Sequence, residues 1–99
     1  MTLKDQLDKV NDKLKGAEFI LQALVIKTDF ASDYGDGVLR FQQYGARWRL
    51  CYGRESFKPV SDIKVLEKIW AAEKVGAFIE AYRQYQDSLA ERARKAAES

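Results

Sequence analysis

Val38-Leu39-Arg40-Phe41-Gln42-Gln43-Tyr44-Gly45-Ala46-Arg47-Trp48-Arg49-Leu50-Cys51-Tyr52 decides the fold. Apolar and polar residues alternate on both sides of Gly45, which is the period of a half-buried strand, and the glycine between them reads as a tight hairpin. Successive side chains of a strand point to opposite faces. Leu39 and Phe41 therefore share a face with Trp48, Leu50 and Tyr52, and Arg40, Gln42, Arg47, Arg49 and Cys51 share the other. One face must be covered by apolar material, and the chain offers it on both flanks.

On the N-terminal flank, Leu3, Leu7, Val10, Leu14, Ala17, Leu21 and Leu24 follow each other at alternating steps of four and three. This is the a/d seam of an amphipathic helix, expected from Leu3 to Ile26. Thr2 is placed as its N-cap, with Asp5 in the first turn to suit the helix dipole. Up to Leu14 the stripe is narrow and suits a helical partner. Past Gly16, the residues Phe19, Ile20, Leu21, Ala23, Leu24, Val25 and Ile26 are apolar on nearly every side and read as core.

Between that helix and the hairpin, residues 29–37 read as a loop by composition. Its Asp29, Asp33 and Asp36 lack the spacing of an EF-hand and read as a turn rather than a metal site. After the hairpin, Ser61 is expected to cap a last helix, with Asp62 in its first turn and Val60 as a hydrophobic staple. Ile63, Leu66, Ile69, Trp70, Val75, Phe78, Ile79, Tyr82, Tyr85 and Leu89 give this helix a broad apolar face. About 35 residues of helix extend roughly 50 Å, so it either breaks at Gly76 or projects from the domain. Residues 90–99 lose their large apolar groups and read as a frayed helical tail. The expectation is one α+β domain over residues 1–99: a long N-terminal helix, an antiparallel hairpin or three-stranded sheet, and a long C-terminal helix.

Composition narrows the function classes. Seventeen basic and fifteen acidic residues leave a net charge of +2, with no polybasic segment. Nucleic-acid binding driven by bulk charge is therefore not favoured. There is no histidine and a single cysteine. Ser-His-Asp and Cys-His catalysis, His-containing zinc sites and intrachain thiolate metal centres are excluded. No apolar run reaches the length of a membrane span, and the start of the chain does not read as a signal peptide, which points to the cytoplasm. No cofactor, metal or catalytic residue is expected.

The strongest candidate for ligand or partner binding is the arginine face: Arg40, Arg47 and Arg49, with Arg54 and Tyr44 beside them. Arginine grips phosphate and carboxylate bidentately, and tyrosine adds a stacking surface, which Tyr34 and Tyr52 extend. An exposed sheet face also needs polar residues, so the same pattern serves solvation. Cys51 has basic neighbours, but without a histidine it reads as a small buried apolar group. The large residues exceed what a small sheet covers, which suggests a homodimer or higher homo-oligomer. Leu3, Leu7, Val10, Leu14, Phe78, Tyr82 and Tyr85 are its candidate interface.

Trp48-Arg49-Leu50-Cys51-Tyr52, followed by Lys58-Pro59-Val60-Ser61-Asp62 and an aromatic helix, resembles small uncharacterised phage or prophage accessory proteins. The resemblance implies a non-catalytic role in host interaction, acting by binding a protein or an anionic, nucleotide-like ligand. Two alternatives stand beside it: nucleic-acid binding through the arginine face, and a structural or assembly role for the helical seam.

Overall fold

The computed structural model describes residues 2–24 and 27–98. Helix α1 (Leu3–Gln22) is followed by strands β1 (Phe30–Asp33), β2 (Val38–Tyr44), β3 (Arg47–Gly53) and β4 (Phe57–Pro59), and by helix α2 (Val65–Glu98). The strands form one antiparallel sheet in the order β1-β2-β3-β4. This is the expected α+β class, with four strands where two or three were expected.

The hairpin forms as the alternation requires. Tyr44 pairs with Arg47, Phe41 with Leu50 and Leu39 with Tyr52. The two-residue connection has a positive φ at Gly45 (65°) and none at Ala46, the signature of a type II′ turn that puts glycine first. Leu39, Phe41 and Leu50 are wholly buried on the apolar face.

β1 lies inside the segment read as a loop. Phe30-Ala31-Ser32-Asp33 lacks β-branched residues, and its sequence carries little strand signal. Tertiary contacts supply it: the strand pairs with β2 from Phe30↔Phe41 to Asp33↔Val38, and Phe30 packs its ring against Phe78, Tyr82 and Tyr85 at 5.1–5.4 Å. Gly37, at the end of the β1–β2 turn, lies directly against the Tyr52 ring, where a Cβ would collide with it.

Both helices differ from expectation at an end. α1 starts at the Thr2 cap, whose hydroxyl accepts from the Asp5 N–H at 3.3 Å, but it stops at Gln22. The expected extension to Val25 and Ile26 falls outside the described residues. α2 begins at Val65, not after Ser61. Ser61 and Asp62 form a turn instead, closed by the Asp62 N–H on the Pro59 carbonyl at 2.8 Å. Ser61 does not cap because that turn places it ahead of the helix start at Val65; its hydroxyl accepts from Arg49 at 3.3 Å. The Val60 N–H extends the sheet by donating to the Leu50 carbonyl at 3.0 Å. α2 then runs unbroken through Gly76, which faces open solvent with room for a side chain. The molecule is accordingly long, 58 × 29 × 27 Å. Residues 90–97 are exposed and continue the α2 helix, with a Glu91–Lys95 pair at 3.7 Å one turn apart.

The core lies between the sheet and the two helices. Ala71, Ala72, Val75, Phe78 and Tyr82 come from α2, and Leu14, Ala17 and Leu21 from α1. The Tyr82 ring stands edge-on to Phe41 and Phe30 at 5.9 and 5.2 Å. Its hydroxyl accepts from the Thr28 N–H at 3.1 Å, so a fully buried tyrosine is both packed and hydrogen-bonded. Thr28 and the entry to β1 are thereby tied to α2.

Tyr52 cannot move away from a new neighbour at position 37, because it is buried and in ring contact with Trp70 at 5.2 Å. Gly37→Ala is therefore expected to lower unfolding stability by about 1–3 kcal/mol, read by urea denaturation. Gly76→Ala on the solvent face of α2 should instead raise it by about 0.5–1 kcal/mol.

Candidate functional site

β4 is only three residues long and pairs with Cys51, Tyr52 and Gly53 alone. The first half of β3 therefore presents an edge with no strand beside it, and its polar groups need other partners. α1 provides them. Gln22 Nε2 donates to the Trp48 carbonyl at 2.6 Å, and Glu18 Oε2 accepts from the Leu50 N–H at 3.0 Å. Glu18 also accepts from Arg49 Nε through both oxygens, at 3.1 and 3.2 Å. Arg49 thus wraps around the free edge, held at Nε by the carboxylate and at Nη2 by the Ser61 hydroxyl.

A groove of about 360 Å³ opens beside this junction, lined by Asn11, Leu14, Lys15, Glu18, Arg49, Val60, Ser61 and Lys68. Leu14 and Val60 are buried and form an apolar floor. Lys15 comes from α1, Arg49 from β3 and Lys68 from α2, so three elements each bring a cation to one place. One carboxylate, Glu18, stands against them and is already engaged with Arg49. The arrangement suits a ligand with an anionic group and a small apolar body. A second hollow of about 390 Å³, near the start of α2, mixes Arg54, Lys58 and Lys64 with Asp36, Glu55, Asp62 and Glu67, and so favours neither sign of charge.

The sequence-derived arginine face does not form one continuous cluster. Arg40 lies over the Phe57 ring at 5.5 Å. Arg54 reaches the Asp36 carboxylate at 3.8 Å and also donates to the Asp36 backbone carbonyl. Arg47 and Tyr44 pair at the exposed end of the hairpin, away from the groove. Of the five candidates, only Arg49 lines the groove. Asn11, Lys15 and Lys68 were missed, because their sequence signature is only that of solvated helix polarity.

The interface candidates divide as well. Leu14, Phe78 and Tyr82 are buried within the chain and cannot meet a second copy. Val10 packs against the core, Tyr85 is half-buried in ring contact with Phe30, and Leu7 is half-buried. Leu3 is exposed. Phe19 and Ile20, which read as core, face solvent instead, because Leu14, Ala17 and Leu21 occupy the buried side of α1.

Cys51 is wholly buried under the polar face of the sheet. Burial pushes its thiol up, against the opposing pull of the Gln42 side chain and of Arg49. A nucleophile needs the opposite arrangement. Among the described residues, no three His, Cys, Asp or Glu side chains are grouped to hold a metal ion, and no helix is long and apolar enough to cross a membrane. No protein-family model, curated protein or solved structure matches the chain.

Removing the Glu18 carboxylate leaves the Leu50 N–H and the Arg49 guanidinium without their partner. Glu18→Ala should cost about 1–3 kcal/mol in urea denaturation, and Glu18→Gln, which keeps an acceptor, less than that. The raised Cys51 pKa means that the folded state holds the thiol proton more tightly than the unfolded chain does. That contribution is intact below the unfolded pKa and is lost as pH climbs above roughly 8.5. Thermal melts from pH 7 to 10 should show the decline, and Cys51→Ala should flatten its first part.

Proposed function

We propose that this chain is a non-catalytic binding module that takes the anionic group of a protein or small-molecule partner at the Arg49 groove. The observation that carries the reading is the convergence of Lys15, Arg49 and Lys68 on an apolar floor of Leu14 and Val60. The Glu18 bond holds the guanidinium in place before any ligand arrives, so less ordering cost is left for binding. A cationic rim draws in the anion, and the floor accepts a few methylene groups or one small ring. The engagement of Arg40 by Phe57 and of Arg54 by Asp36 weighs toward this groove and away from a row of arginines laid along a nucleic-acid backbone. A small accessory or host-interaction role of the phage type is compatible with binding alone. The lone free cysteine suits the reducing cytoplasm in which we place it.

The test is a titration of isotope-labelled protein with inorganic phosphate and with hexanoate at low salt, followed by amide chemical shifts. Shifts should centre on Lys15, Arg49, Ser61 and Lys68, and hexanoate should also move Leu14 and Val60. A Lys15→Glu/Lys68→Glu double variant, which leaves the Glu18–Arg49 bond in place, should weaken binding more than about tenfold. Unchanged affinity in that variant, or shifts confined to the hairpin end at Arg47, would refute the assignment.

A further inference from the structure

The α1 wall of the Arg49 groove is ordered along the helix. Asn11, Leu14, Lys15 and Glu18 stand at the i, i+3, i+4, i+7 positions that share one helical face, and all four line the groove. From Asn11 to Glu18 the wall is about 10 Å long at 1.5 Å per residue, roughly the span of three extended residues. Arg49 stands at the Glu18 end, with Nε taken by Glu18 and Nη2 donating to Ser61. Its Nη1 has no partner among the described residues. Lys15 and the buried Leu14 come one turn earlier, with Val60 completing the floor. At the far end the half-buried Asn11 carries a side-chain amide that makes no hydrogen bond among the described residues. That amide offers both an acceptor oxygen and N–H donors.

We propose that the anion taken by this groove is the C-terminal carboxylate of a partner protein that ends in an apolar residue. The inference rests on the assignment of the groove as the binding site and names its occupant. The groove has places for three groups in a fixed order: an anion beside Lys15, Arg49 and Lys68, an apolar group on Leu14 and Val60, and an amide within reach of Asn11. A chain terminus supplies them in that order. Its last residue carries the carboxylate and the side chain on one α-carbon, and the peptide group before it offers both an N–H and a C=O. An internal aspartate or glutamate brings the charge without an apolar side chain on the same carbon. A fatty-acid anion serves the cations and the floor but leaves Asn11 unmet, and inorganic phosphate serves the cations alone. Charge complementarity points the same way. Glu18 is already held by Arg49 and by the Leu50 N–H, so Lys15, Lys68 and the free Nη1 of Arg49 remain for a carboxylate. Capture of a terminal carboxylate is a recurring mode of peptide recognition.

The test titrates the isotope-labelled full chain with N-acetyl-alanyl-leucine, with its C-terminal amide, with hexanoate and with inorganic phosphate. The free-acid peptide should bind at least about fivefold tighter than either hexanoate or the peptide amide. It should shift the Asn11 side-chain amide together with Lys15, Arg49 and Lys68. Asn11→Ala should abolish the preference for the peptide over hexanoate while leaving the hexanoate affinity unchanged. The variant should not melt earlier, because alanine is the better helix former. A peptide amide that binds as tightly as the free acid overturns the terminal-carboxylate assignment. So does a peptide no tighter than hexanoate, or an Asn11→Ala variant that keeps the full preference. In each of those cases hexanoate binding that the Lys15→Glu/Lys68→Glu variant weakens leaves the groove itself standing as the anion site. Absence of both peptide and hexanoate binding at the groove overturns the two readings together.

Discussion

The free edge of β3 is the constraint from which the rest of the arrangement follows. A three-residue β4 covers Cys51 to Gly53 and leaves the backbone from Trp48 to Leu50 with polar groups to satisfy. Leaving a buried backbone donor unmade costs about 1–3 kcal/mol. Gln22, Glu18 and the Val60 N–H meet this demand at the Trp48 carbonyl, the Leu50 N–H and the Leu50 carbonyl. Two of the three lie one turn apart on α1. They set which side of that helix faces the sheet, and the buried Leu14, Ala17 and Leu21 follow from that setting.

The groove follows from the same junction. Glu18 cannot serve the Leu50 N–H without also standing beside Arg49, and Arg49 cannot meet it without curling around the edge toward Ser61. One carboxylate therefore both completes the sheet edge and fixes the guanidinium that lines the groove. On the opposite side of α1, the same orientation exposes Phe19 and Ile20. The helix orientation that completes the sheet edge thus also leaves these two large apolar side chains on the surface.

The second organising element is the aromatic cluster. Phe30, Phe41, Phe78, Tyr82 and Tyr85 meet within 5.1–6.4 Å centroid separations, which joins the outer strand β1, the hairpin and α2. Only α2 extends beyond it. After Leu89 nothing in the sheet remains to be covered, and the helix continues on propensity and surface ion pairing, as at Glu91 and Lys95.

By itself, the sequence determined what depends on nearest neighbours and on simple periods. Alternation around Gly45 settled the hairpin and its two faces, with Leu39 and Phe41 on the side of Trp48, Leu50 and Tyr52; the register, Leu39 against Tyr52, came with the structure. Thr2 settled where α1 begins, and the four-three spacing settled that both flanks are helical. Tertiary structure alone decided what depends on distant partners. β1 exists because β2 supplies its hydrogen bonds and Phe78 and Tyr82 its packing, neither of which leaves a trace in Phe30-Ala31-Ser32-Asp33. Ser61 caps no helix because the turn closed on Pro59 places it ahead of Val65, where its hydroxyl meets Arg49 instead. The candidate site needed Lys15, Arg49 and Lys68 to be brought together across more than fifty residues of chain, and each alone looks like ordinary surface charge. The second half of α1 has more apolar residues than one side of a helix can bury, and only the unpaired edge of β3 decided that Phe19 and Ile20 would be the ones left in water.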